Sequence, residues 1–178
     1  LVYFIFVPIT SASLTIIGAS TFLFFVGLLD DLLNIKPYQK LIGQLIGAVI
    51  VVGLGLAVPL TGNELVDTFI TIFWLIGITN AVNLLDNMDG LAAGIAAIAG
   101  ASLAIGFYAN GQVYEAVLIS VFVGALVGFL IFNFNPASIF MGDCGSLALG
   151  GSLGVVAILI KKELLLILLG GVFVVEAM

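Results

Sequence analysis

Five aspartates stand at the ends of long apolar runs. Asp30 and Asp31 are adjacent, Asp86 and Asp89 lie in Asn83-Leu-Leu-Asp86-Asn-Met-Asp89-Gly90, and Asp143 lies in Phe132-Asn-Phe-Asn-Pro136-Ala-Ser-Ile-Phe140-Met-Gly142-Asp143-Cys-Gly145-Ser146. Carboxylates beside lipid-like sequence are costly, so they invite a functional reading. In the last stretch Pro136 biases Asn135 away from helix, and Gly142 and Gly145 allow close backbone approach. Asp143 falls at the expected start of the next helix, where free N–H groups favour anions. That setting suits a divalent cation holding phosphate, and it equally suits a plain helix cap after a Pro/Gly turn.

Several carboxylates on one face repel one another unless a cation joins them. Mg²⁺ takes oxygen ligands and commonly uses one or two carboxylates plus substrate phosphates. Together with Lys40, the Asn side chains and the glycine loops, this points to phosphoryl transfer. Residues 86–90 lack the spacing of a calcium-binding EF-hand, and no P-loop Gly-Lys-Ser/Thr occurs. The sequence contains no histidine, which excludes His-based catalysis within it, and Cys144 is the sole cysteine, which excludes a disulfide framework or a Cys-based metal site.

The elements that must position these residues are membrane spans. Hydrophobic residues make up 63% of the chain and charged residues 8%, with a mean hydropathy of +1.39, and apolar runs of roughly 18 residues recur. The expected fold is an all-α polytopic transmembrane bundle of about six full spans and a truncated seventh. The spans are expected at 11–29, 41–58, 65–82, 91–108, 114–131 and 147–160, with a seventh from Leu164. Leu1 to Pro8 is apolar but too short to span. The chain begins at Leu1 and ends at Met178 inside an apolar run, so residues 1–178 read as one integral-membrane domain, a fragment cut at both ends. Nucleic-acid binding is excluded, since Lys and Arg total 4 and form no patch.

Alternating spans put Asp30, Asp31, Asp86, Asp89 and Asp143 on one face and Glu64, Asp67, Glu115 and Glu163 on the other. Lys36 and Lys40 against Lys161 and Lys162 tie, so positive charge does not say which face is cytosolic. Glycines four apart, at 43 and 47, 90 and 94, 124 and 128, and 150 and 154, predict closely packed helices. Glu176, in the last apolar run, also invites a functional guess.

The run Gly27-Leu-Leu-Asp30-Asp31, then Lys40 and Gln44, then Asn80-Ala-Val-Asn83-Leu-Leu-Asp86-Asn-Met-Asp89-Gly90, then Phe132 to Ser146, resembles the polyprenyl-phosphate N-acetylhexosamine 1-phosphate transferases over nearly the whole chain. The resemblance implies a Mg²⁺-dependent enzyme, with Mn²⁺ able to substitute. It would transfer N-acetylhexosamine 1-phosphate from a UDP-N-acetylhexosamine to a polyprenyl phosphate and release UMP. It also implies a multi-pass protein of the inner or plasma membrane whose acidic face is cytosolic, where UDP-sugars are, and leaves a homodimer open. Asp143 matches the metal ligand and Phe140 the aromatic that stacks on uracil. Asn83, Asp86 and Asp89 match nucleotide-pocket positions, and Asp30 and Asp31 match the pair near the lipid phosphate. Asp30, Asp31, Asp86 and Asp89 are thus the catalytic candidates, and Asn83, Phe140 and Lys40 the substrate-binding ones. Phe140 also reads as an interfacial anchor and Lys40 as a snorkelling lysine. The family's His-containing loop lies beyond the last residue of this sequence.

The donor sugar divides the motifs. Residues 84–94, with Asn87, and the connector 34–44 look like the N-acetylglucosamine branch, which would initiate a cell-envelope polysaccharide. Residues 162–177 look like the phospho-N-acetylmuramoyl-pentapeptide branch of peptidoglycan assembly. The loops nearer the sugar favour N-acetylglucosamine. Two readings from other classes remain: an ion-coupled transporter, whose site would lie near the bilayer midplane, and a remnant that only anchors or assembles.

Overall fold

The computed structural model describes residues 10–160, and all its regular structure is helical. Six helices follow in order: α1 (Ser11–Leu33), α2 (Pro37–Gly53), α3 (Glu64–Leu85), α4 (Leu91–Ala109), α5 (Val113–Asn133) and α6 (Gly142–Leu159). The expected segment before Pro8, Lys161, Lys162, Glu163, the seventh span from Leu164 and Glu176 lie outside the described residues. All helices but α2 are long and apolar enough to cross a membrane; α2 is a shorter apolar helix of 17 residues.

The helix ends differ from the hydropathy reading where local chemistry overrides it. α1 continues through Asp30 and Asp31 and stops at Asn34, which is left-handed with φ 48°. A carboxylate at a membrane surface can face water without breaking the helix, so charge did not mark the end. The expected span 41–58 is shifted: Pro37 opens α2 at its first turn, where a missing N–H costs nothing. Gly55, with φ 86°, turns the chain out after Gly53. α6 starts at Gly142, so Asp143 stands in its first turn as expected, ahead of the apolar span read from residue 147.

α6 is the central helix. It packs on α1 and α3, while α4 pairs mainly with α5 and α2 lies against both α1 and α3. Its residues from Leu149 to Leu159 are all buried. Small residues permit this. A Cβ on Gly27 would strike the backbone of Asp143 and Cys144, and one on Gly150 would come within 2.7 Å of the Thr79 backbone. The expected glycine contacts appear at two of the four pairs. Gly43 and Gly47 receive Val26 and Phe22 of α1, and Gly150 and Gly154 receive α3. Gly94, Gly124 and Gly128 face open space, and Gly90 instead caps α4 with φ 73°.

Candidate active site

Helix ends α1, α2, α3 and α6 meet at one end of the bundle, joined there by the 86–90 turn and the 134–141 loop. Lys40, in the first turn of α2, is the centre. Its Nζ lies 3.1 Å from Asp30 Oδ2 and 2.9 Å from Asp143 Oδ2, and it donates to Asn83 Oδ1 at 3.1 Å. The Lys40 and Asp30 side chains are only 15% and 14% exposed, Asp143 30%, so these charges sit in a semi-enclosed place where Coulomb attraction is weakly screened. Asn83 Nδ2 donates to Asp143 Oδ1 and to Ser146 Oγ. Side chains from four helices are thereby tied into a single network.

Asp31 does different work from its neighbour. Its two carboxylate oxygens accept the backbone N–H groups of Asp143 and Cys144, each at 2.9 Å. It caps α6 from another helix, with a negative charge on the positive end of the helix dipole. Gly142, at φ 67°, leaves the room: a Cβ there would meet the Asp31 carboxylate at 3.1 Å.

Asp86 lies just past the end of α3, as the residue that ends that helix, beside Gly142. Partial burial, with Asp143 and Asp31 nearby, pushes its pKa up to about 6. Asp89 is set apart from the Lys40 network. Its Oδ2 accepts from Asn135 Nδ2 at 3.2 Å and from the Ala137 N–H at 3.1 Å, so it ties the 86–90 turn to the 134–141 loop. Phe140 is also apart: it is 76% exposed, at the rim of an apolar cavity of about 600 Å³ between α1, α5 and α6 that Phe24, Phe122 and Phe129 also line.

Sequence reasoning assigned no role to four polar residues that shape this end. Asn133, buried at the end of α5, accepts the Gly90 N–H at 3.1 Å and donates to the Ile139 carbonyl at 3.0 Å, which holds both loops. Ser146 receives Asn83. Gln44 and Asn80 bond one turn deeper. The available signal was a polar side chain within an apolar run, where an unpaired group is disfavoured. Among the described residues every buried side-chain nitrogen and oxygen has a partner.

The arrangement can hold a polyanion together with a cation. Asp30 and Asp143 pair with one ammonium, and Asp31 and Asp86 sit close to Asp143. The donors are hard oxygens, as Mg²⁺ requires. Among the described residues no three His, Cys, Asp or Glu side chains converge on one point. A cation here would take one or two carboxylates and complete its shell with water or ligand phosphate.

The sequence matches the profile of glycosyl transferase family 4 over residues 13–161. Curated relatives include the phospho-N-acetylmuramoyl-pentapeptide-transferases of Levilactobacillus brevis, 44% identical over 154 residues, and of Bacillus thuringiensis, 43% identical over 173 residues. These alignments cover 80% and 86% of this chain, and 48% and 53% of the relatives. A Bacillus mycoides protein of the same name is 44% identical over 173 residues. The chain spans about half the length of the curated relatives it matches.

Proposed function

The chain belongs to glycosyl transferase family 4, and from that membership we propose that the protein carrying it transfers phospho-N-acetylmuramoyl-pentapeptide from its UDP donor to a polyprenyl phosphate, releasing UMP. The names of the relatives support this donor over N-acetylglucosamine, which the 84–94 loop favoured on sequence. The feature that pointed to N-acetylglucosamine has a local use. Asn87 donates to the Leu84 carbonyl at 2.6 Å and closes the end of α3, so its presence needs no particular sugar. The transporter reading loses its support, because the Lys40 cluster gathers at helix ends rather than midway along the helices.

The observation that carries the reading is Lys40 held by Asp30, Asp143 and Asn83 from four converging helices. In the transfer, an oxygen of the acceptor phosphate attacks the β-phosphorus of the donor; the bond from that phosphorus to the bridging oxygen breaks, and UMP leaves with the electron pair. The acceptor's second pKa is near 6, so it is largely ionised at neutral pH and needs little help from a base. Lys40 is placed to meet negative charge developing on the diphosphate. Asp30 and Asn83 fix Lys40, and Asp31 fixes the backbone of α6 that carries Asp143. Mg²⁺, with Mn²⁺ as substitute, is the proposed cofactor, held by Asp143 with Asp30 or Asp86; when bound it neutralises charge on the diphosphate. Asp89 keeps the loops together. Phe140, at the cavity rim, is proposed to stack on the uracil. The acidic end is proposed to face the cytosol, where UDP-sugars are, in a cell membrane.

The test is UMP release by the native-length protein in detergent with undecaprenyl phosphate and Mg²⁺, comparing UDP-N-acetylmuramoyl-pentapeptide with UDP-N-acetylglucosamine. Turnover with the first and not the second is expected. Turnover with UDP-N-acetylglucosamine alone would reverse the donor assignment.

A further inference from the structure

Lys40 lies in the first turn of α2, the part of a helix most prone to fray, yet the network demands that it stay within about 3 Å of two carboxylates. What holds it is not evident from apolar packing. The buried residues of α2 are Gln44, Gly47, Ala48 and Val51. Gly47 packs on Phe22 and Leu23, and Gly43 on Val26, all of α1, so these glycines seat α2 on α1 and not on α3. Apolar burial is non-directional and does not fix how far α2 slides along α3.

One turn below Lys40, Gln44 makes the directional contact. Gln44 Nε2 donates to Asn80 Oδ1 at 3.2 Å, and Asn80 Nδ2 donates back to Gln44 Oε1 at 2.6 Å. Gln44 is only 3% exposed. Asn80 is further pinned by its bond to the Ile76 carbonyl at 2.8 Å. Residues 40 and 44 are one turn apart on α2, and 80 and 83 are three apart on α3, so both pairs stack along one seam. Slippage by a turn would leave two amides unpaired in an apolar interior, which is strongly disfavoured.

We propose that Gln44 and Asn80 are positioning residues: their reciprocal amide pair sets the register of α2 on α3 and thereby holds Lys40 between Asp30 and Asp143. The kinetic part rests on the transferase reading given above; the positional part does not.

The experiment uses the native-length protein and two readouts. The first is acylation of Lys40 by an amine-reactive ester, measured by peptide mass spectrometry relative to exposed Lys36 as internal standard. The second is steady-state UMP release. The variant Gln44→Leu/Asn80→Leu removes both amides without stranding either, and Gln44→Asn/Asn80→Gln restores a pair with the lengths exchanged. The leucine pair is expected to raise the Lys40-to-Lys36 labelling ratio about tenfold and to lower kcat about tenfold, with KM for the UDP-sugar moved less than about twofold. The exchanged pair should recover most of both. In a Lys40→Met background the leucine pair should lower kcat no further, because it acts through Lys40. An unchanged labelling ratio in a folded leucine-pair variant would overturn the proposal, and so would an equal kcat loss in the Lys40→Met background. If the wild-type protein showed no transfer, the transferase reading would fall while the labelling ratio still decided the register claim.

Discussion

Asp30 and Asp31 are neighbours in sequence and serve different partners, because successive helical residues point about 100° apart. Asp30 reaches Lys40 on α2; Asp31 reaches the N-terminal amides of α6. Asp31→Ala is therefore expected to cost about 1–2 kcal/mol of stability through the lost cap, measurable as a lower thermal midpoint in detergent. Asp30→Ala should act mainly on turnover, through a displaced Lys40. Asp86 gives a pH signature. Its folded-state pKa of about 6 lies above the ordinary carboxylate value of about 4, so the folded protein binds more protons than the unfolded chain between those values. Stability contributed by this group is present below about pH 4, falls as pH rises through about 6, and levels off above. In chelator-treated protein the thermal midpoint should drop between pH 4 and pH 6.5, and Asp86→Asn should flatten that part of the slope. The sequence placed all five aspartates at one end by counting spans. It could not separate Asp31 the cap or Asp89 the loop tie from Asp30 and Asp143, because that difference depends on which helix each side chain meets.

At the scale of elements, the site depends on how closely α1 approaches α6. Gly27 carries that approach, since a Cβ there would collide with the Asp143 and Cys144 backbone. Backbone cannot yield as a flexible side chain can, so Gly27→Ala should push the helices apart. We expect a loss of about 1–3 kcal/mol, seen in thermal unfolding, together with weaker transfer because Asp31 no longer reaches α6. Gly128→Ala, on a lipid-side position with open space around it, should be silent in both assays. Both glycines stand in apolar helices with similar neighbours in sequence, and only the packing tells them apart. The same limit explains why glycine spacing found the contacts at 43 and 47 and at 150 and 154 but also raised 124 and 128. Helix existence followed from hydropathy alone. The ends of α1 and α2 did not, because Asn34, Pro37 and Gly55 act through backbone conformation.

At the scale of the whole molecule, apolar helices carry a polar network at one end, so the bundle presents charge where lipid gives way to water. The buried carboxylate Asp67 lies at the start of α3, the end opposite to Asp86, and is satisfied locally by the Thr61 N–H and hydroxyl, each at 2.8 Å. Two acidic groups in similar apolar sequence thus have different roles: Asp67 closes a turn, and Asp143 joins four helices. The measurement that bears most directly on the account is UMP release by native-length Asp143→Asn protein, at saturating Mg²⁺ and both substrates, with folding confirmed by thermal unfolding. The predicted result is a kcat reduced by about 100-fold or more with the fold retained. Turnover equal to wild type in a folded Asp143→Asn protein would contradict the assignment of this cluster as the transfer site.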